Sequence, residues 1–181
     1  MPLIGLVGPH AVGKTTAVRR WAERYKKLVV IQADNGLILH DGEQHKDKGW
    51  NGTTVEKEVL IKRCQERRDQ VTIVETVRTT ILNYFRPEDL VIMAVTDWQT
   101  MRKHLVARCE KRGKKFNDPY WSQSKLEYEC RHRYLNFAAK HLTWTQWISF
   151  EVNQQAEDWP AVDKHLGVLF RRFQRDLARW S

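Results

Sequence analysis

Residues 8–15 read Gly8-Pro9-His10-Ala11-Val12-Gly13-Lys14-Thr15 and come directly after the apolar run Leu3-Ile4-Gly5-Leu6-Val7. The octet fits Gly-x4-Gly-Lys-[Ser/Thr], and Thr16-Ala17-Val18-Arg19-Arg20-Trp21-Ala22 after it reads as a helix. Strand, glycine-bounded loop and helix, in that order, are the setting of a phosphate-binding loop. Gly8 and Gly13 are expected to take turns closed to side chains, so that successive N–H groups converge on one anion. The helix starting near Lys14 adds its positive end. Lys14 supplies a mobile cation for the β- and γ-phosphates of ATP, and Thr15 a hydroxyl for Mg²⁺. The expected nucleotide contacts are Gly8, Pro9, His10, Ala11, Val12, Gly13, Lys14, Thr15 and Thr16. The alternative, a glycine turn that happens to precede a Lys-Thr pair, leaves the matching flanks unexplained.

From the octet to its last residues the chain alternates between short apolar runs and amphipathic stretches. Ala17, Val18, Trp21, Ala22 and Tyr25 form a helical stripe over 14–26, and Leu28-Val29-Val30-Ile31 is a buried strand. Residues 37–56 are polar and read as a loop on the substrate side, part of an insertion over about 34–68 whose second half, Thr53 to Arg68, is helical. His40 and His45 in that stretch have no metal-ligand spacing and read as solvated. Val71-Thr72-Ile73-Val74 and Leu90 to Val95 are further strands. Thr96 or Asp97 caps a helix to about Arg112, which Gly113 ends. Trp121 to Leu142 resumes as helix, Trp144 to Val152 alternates as a strand, and a tail helix starts near Asp158. Five strands alternating with helices predict an α/β fold, a parallel five-stranded sheet covered on both faces, with the phosphate loop, Asp34, Glu75 and Thr96-Asp97 on one carboxyl edge.

Composition narrows the setting. The 181 residues suit one domain, 1–181, and 41% apolar with 29% charged residues excludes a disordered chain. No apolar run reaches the ~18 residues of a membrane span, and no signal peptide precedes the first strand, so the expected location is a cytoplasm, the host's if the chain is viral. Cys64, Cys109 and Cys130 are odd in number and widely spaced, and are expected to stay reduced. The net charge of +9 attracts a polyanion, nucleic acid being the usual one, or only the phosphates of a small nucleotide.

Phosphoryl transfer needs held phosphates, a metal, cations for the spreading charge and a group that takes the acceptor's proton. Asp34, just past the second strand, is the candidate base; beside Asn35-Gly36 it could equally cap a turn. Glu75 and Arg78 stand past the third strand and are candidates for acceptor contact. Arg108 and Arg112, one turn apart, would close over the phosphates from a basic lid at about 108–125, or form a solvated basic face. Of eight tryptophans, Trp50, Trp98 and Trp121 fall beside the active edge, where an indole can stack on a base, although core packing is the common use of any one Trp.

The phosphate loop, the acid after the second strand, and Asp97-Trp98-Gln99-Thr100-Met101 leading into Val106-Ala107-Arg108-Cys109-Glu110-Lys111-Arg112-Gly113 resemble the kinase domain of phage-type polynucleotide kinases. In layout the chain is also similar to the phage kinases that phosphorylate 5-hydroxymethyl-deoxyuridine in DNA. The resemblance implies an aspartate base at Asp34 and lid arginines at Arg108 and Arg112. Where that family has an acid-rich segment, this chain has Asp34-Asn35-Gly36, with Asp41 the next carboxylate. The implied activity is transfer of the γ-phosphate of ATP, with Mg²⁺, to a hydroxyl on DNA: the 5-hydroxymethyl group of hydroxymethyluracil or a 5′ end. A kinase of free nucleoside monophosphates and a nucleotide-dependent switch are the other readings.

Overall fold

A computed structural model describes residues 3–25, 28–34, 37–40, 43–46, 71–142 and 146–151. Strands β1 (Leu3–Val7), β2 (Leu28–Gln32), β5 (Val71–Thr76) and β6 (Leu90–Val95) are buried at every position. A strand achieves that only inside a sheet covered on both faces, which is why these runs do not alternate with polar residues. With β3 (Leu37–His40), β4 (Glu43–Lys46) and β7 (Gln146–Glu151), the described residues form a seven-stranded sheet in the order β4-β3-β2-β5-β1-β6-β7. Strands β2, β5, β1, β6 and β7 run parallel. Strands β3 and β4 add an antiparallel edge.

The expected five strands are therefore too few, and the reading of residues 37–56 as a loop is corrected at 37–40 and 43–46. His40 pairs with Glu43, so Asp41-Gly42 is all that separates the two strands in the chain. Asp-Gly is a dipeptide favoured in two-residue hairpins, and Leu37-Ile38-Leu39 before it supplies the apolar strand. The expected helices over Thr53 to Arg68 and from Asp158 lie outside the described residues.

Alternate strand residues feed two apolar layers. On one face Ile4, Leu6, Val30, Ile73 and Ile92 pack with Ala17, Val18 and Trp21 of α1 (Lys14–Arg24). On the other, Leu3, Val7, Ile31, Val74 and Val91 pack with Ile81, Leu82 and Phe85 and with Tyr134 and Ala138 of the last described helix. Between β5 and β6 the chain makes only a 3-10 turn, Thr79–Tyr84, in place of the expected helix. Pro87 comes soon after it in the sequence, and the residue before a proline is pushed away from helical dihedrals. Gly5 makes room for Phe85, whose ring edge lies 2.6 Å from where a Cβ would stand.

Helix α2 (Trp98–Lys111) starts on Asp97, whose carboxylate accepts hydrogen bonds from the Thr100 N–H at 2.8 Å and the Thr100 hydroxyl at 2.7 Å. It ends in a left-handed Gly113 with φ 63°. There the Gly113 N–H bonds to the Glu110 carbonyl and the Lys114 N–H to the Cys109 carbonyl, the pattern that turns the chain back on a helix end. The helix expected from Trp121 to Leu142 is in three pieces: α3 (Gln123–Glu127), a π turn (Tyr128–His132) and α4 (Arg133–His141). The π turn sets the Cys130 carbonyl to accept the Thr96 N–H at 3.2 Å, tying this segment to the end of β6.

Candidate functional site

The register aligns Val7 with Thr76 and Gln32 with Glu75, so the ends of β1, β2 and β5 finish level. A cavity of about 520 Å³ opens at that edge, against the start of α1 and one side of α2. Crevices beyond the carboxyl ends of parallel strands are where such sheets bind ligands.

The glycine loop builds one wall. Its left-handed residues are Ala11 (φ 62°) and Gly13 (φ 93°), so the turn expected at Gly8 falls on Ala11. Gly8 is required for a different reason: a Cβ there would lie 2.2 Å from the Ala94 carbonyl oxygen. A non-glycine residue in this region is held by its surroundings. Here the holder is His104 of α2, whose Nδ1 lies 2.9 Å from the Ala11 carbonyl. The bond requires a proton on Nδ1, because the carbonyl can only accept. Val12 is buried in the core, so any contact of this residue with a ligand runs through its main chain.

Lys14 is 4% exposed, and its ammonium donates to the carbonyls of Gly8 at 2.8 Å and Pro9 at 2.7 Å. Burial lowers its pKa to about 8, against the pull of Glu75 and Asp34, and Arg108 pushes the same way as burial. Desolvation, then the charges of Lys14 and Arg108, holds His10 below its usual 6.5.

Glu75 is buried and fully engaged. One carboxylate oxygen accepts from the Thr15 hydroxyl at 2.7 Å, the other from the Gln32 side-chain amide at 2.8 Å. Among the described residues no group of three or more His, Cys, Asp or Glu side chains is disposed to cage a metal. A cation at Thr15 would have two protein oxygens, from Thr15 and Glu75, with its other ligands from phosphate and water, the usual arrangement for Mg²⁺.

Past the end of the neighbouring strand β2 stands Asp34, lining the same cavity. Its carboxylate accepts from the Val77 N–H at 2.8 Å and the Thr76 hydroxyl at 3.1 Å, with Arg78 Nε at 3.8 Å. The Val77 carbonyl is in turn fixed by the Tyr134 hydroxyl at 3.1 Å. Both acids come from strand ends and line the same cavity as Lys14, Thr15, His104 and Arg108. Arg78 meets this group through Asp34 and is not among the residues lining the cavity. Arg112 departs from its expected place: it lines a neighbouring cavity that shares His10 and Arg108 with the first. Trp50 lies outside the described residues.

Four side chains matter here that the sequence did not single out: Gln32, Thr76, His104 and Tyr134. The last three orient backbone or a carboxylate and carry no motif. Gln32 becomes noticeable only once β2 is known to lie beside β5.

Neither a protein-family model nor a curated protein sequence matches the chain. Among solved structures it is similar to a sulfotransferase domain from the curacin biosynthetic pathway, with TM-score 0.52 and 13% identity over 97% of this chain and 74% of that one. An uncharacterized protein from Eubacterium ventriosum matches with TM-score 0.46 and 12% identity over 96% of this chain and 98% of that one. The first likeness is one of fold, an α/β sheet with helices. No helix among the described residues is long and apolar enough to cross a membrane.

Proposed function

We propose that the chain is an ATP-dependent phosphotransferase whose acceptor is a hydroxyl on DNA, the 5-hydroxymethyl group of hydroxymethyluracil in the first instance. The observation that carries this reading is the presence in one cavity of two differently held carboxylates from neighbouring strand ends. Glu75 is bonded to the Thr15 hydroxyl, and Asp34, past the end of the neighbouring strand β2, is bonded to the Val77 N–H.

The residues fit the groups this reading requires. A buried ammonium bonded to loop carbonyls can turn to phosphate oxygens without crossing solvent. A half-buried hydroxyl–carboxylate pair is one whose hydrogen bond a divalent cation can replace. Mg²⁺ bound there would neutralise charge on the phosphate oxygens. The loop N–H groups and the start of α1 orient the triphosphate. Lys14, and Arg108 from α2, offset the charge that spreads over the transferred group. Asp34 accepts the proton of the attacking hydroxyl, held ready by the Val77 N–H and the Thr76 hydroxyl. Arg108, in the last turn of α2 and lining the cavity, is the proposed lid cation.

A fold neighbour named as a sulfotransferase domain raises sulfuryl transfer as a second reading. The Thr15–Glu75 pair favours the metal-bound triphosphate, because its chemistry suits a hard cation. The test is a panel with γ-labelled ATP: thymidine DNA, hydroxymethyluracil DNA, 5′-hydroxyl oligonucleotides and free monophosphates. Label in hydroxymethyluracil DNA is the expected result. Label in free monophosphates alone would contradict a DNA acceptor, and no label in any acceptor would leave a nucleotide-dependent switch.

A further inference from the structure

The cavity beside the main one, about 260 Å³, lies between the glycine loop and the turn that closes α2. It is lined by three cations, Arg108, Arg112 and Lys114, and by Trp121; Leu105 is buried, and His10 is shared with the first cavity. No carboxylate is among the described residues that line it. The cations are held together by backbone. The left-handed Gly113 folds the chain so that the Arg112 and Lys114 N–H groups both bond to the Cys109 carbonyl, at 3.0 and 2.9 Å.

Trp121 is equally fixed. It packs against the buried cluster of Met101, Leu105, Leu126 and Cys130. The Tyr120 ring meets it edge-on, with centroids 5.1 Å apart, and the Lys125 ammonium lies 3.2 Å from the Tyr120 centroid and 5.2 Å from that of Trp121. An indole already immobilised loses little entropy when a ligand stacks on it.

We infer that this second cavity binds one nucleotide unit of a single DNA strand, the phosphate on Arg108, Arg112 and Lys114 and the base against Trp121. Guanidinium groups suit phosphate oxygens, and an aromatic face accepts any base, so the pocket reads strand rather than sequence. Because His10 and Arg108 border both cavities, a strand anchored here stays beside the triphosphate site. The inference rests on the proposed DNA acceptor for the identity of the strand, and on the pocket alone for the chemistry.

The experiment titrates the full chain against a fluorescein-labelled single-stranded oligothymidylate by anisotropy, with binding of a non-hydrolysable ATP analogue measured in parallel. Trp121→Ala and Arg112→Gln should each weaken oligomer binding about ten-fold and leave analogue affinity within about two-fold. Arg112→Gln should also lower the slope of log affinity against log salt by about one. Trp121→Phe keeps an aromatic face and guards against a folding defect in the alanine variant; it should bind within about three-fold of the unaltered chain. Free thymidine monophosphate should compete only at about a hundred-fold excess or more in nucleotide units, since it lacks the linked contacts of the strand. Oligomer binding indifferent to both Trp121→Ala and Arg112→Gln would overturn the inference, as would equal losses of analogue and oligomer affinity. Competition by the monophosphate at equal nucleotide concentration would overturn the assignment to a strand. Oligomer binding that depends on Trp121 without phosphate transfer would refute the proposed reaction and keep this pocket. Transfer to DNA with indifferent binding would do the reverse.

Discussion

Burial readies Lys14 for an anion. Its folded pKa of about 8 lies below the ordinary 10.5, so folding favours the neutral amine between those values. The unfolded chain then binds more protons, and stability rises with pH across that window; below pH 8 the full cost of the buried charge is present, on the order of 3 kcal/mol. Relative to Lys14→Met, the unliganded protein should therefore gain melting temperature from pH 8 to 10. A triphosphate reverses the preference and draws a proton onto the amine. Titration calorimetry at pH 8.5 in buffers of different ionisation enthalpy should show proton uptake on ATP binding, and Lys14→Met should abolish it. Glu75 gives a complementary test. Replacing it with Gln removes a negative charge beside the phosphates and one metal oxygen at once. Mg²⁺-free ATP binding should hold or tighten, while turnover with Mg²⁺ falls by about a hundred-fold or more. Equal losses with and without Mg²⁺ would deny Glu75 a metal role. The sequence marked Glu75 as a candidate for acceptor contact; that it meets Thr15 depends on β5 lying next to β1, which residue types alone do not reveal.

At the scale of the element, α2 joins the parts. Its last turn carries Arg108, and His104 one turn earlier holds the Ala11 carbonyl. Its start depends on Asp97. Burial alone would raise that carboxyl's pKa, but hydrogen bonds from Thr100 outweigh it and hold the value below the ordinary 3.8. The cap therefore contributes in full above pH 3.8 and is lost as pH falls through the depressed value. Asp97→Ala should cost about 1 kcal/mol in urea denaturation at pH 7. The difference should shrink as the pH drops below about 4. A gap that stays constant down to about pH 2.5 would mean that the carboxylate is not the cap. Sequence spacing was enough to find this helix, because a cap, an apolar stripe and a terminating glycine are all local signals. The β3–β4 pairing was missed because a polar strand, Glu43 to Lys46, has no apolar alternation to signal it. The break of the Trp121–Leu142 helix at a π turn was also out of reach, since its reason is a bond to Thr96 on another element.

For the whole molecule, the +9 charge and the cavity edge belong to one reading only if the acceptor is polyanionic. An acceptor strand held through several phosphates should lose affinity steeply between about 50 and 200 mM salt, by about ten-fold for every two contacts neutralised, whereas a free monophosphate should show a shallow slope. A shallow slope with DNA would point to the smaller acceptor. The parallel sheet was legible in the order of apolar runs, and the loop in its octet. The strand order, the division of labour between Glu75 and Asp34, and the placing of Arg112 in a second cavity were not, because each depends on contacts between distant segments. The fold sets two carboxylates on neighbouring strand ends in one cavity, Glu75 bonded to the Thr15 hydroxyl and Asp34 to the Val77 N–H. Single-turnover transfer from γ-labelled ATP to hydroxymethyluracil DNA, run with the unaltered chain and with Asp34→Asn, tests that division most directly. The expected result is unchanged ATP binding with transfer slowed by about a hundred-fold or more in the variant; transfer at the unaltered rate would contradict it.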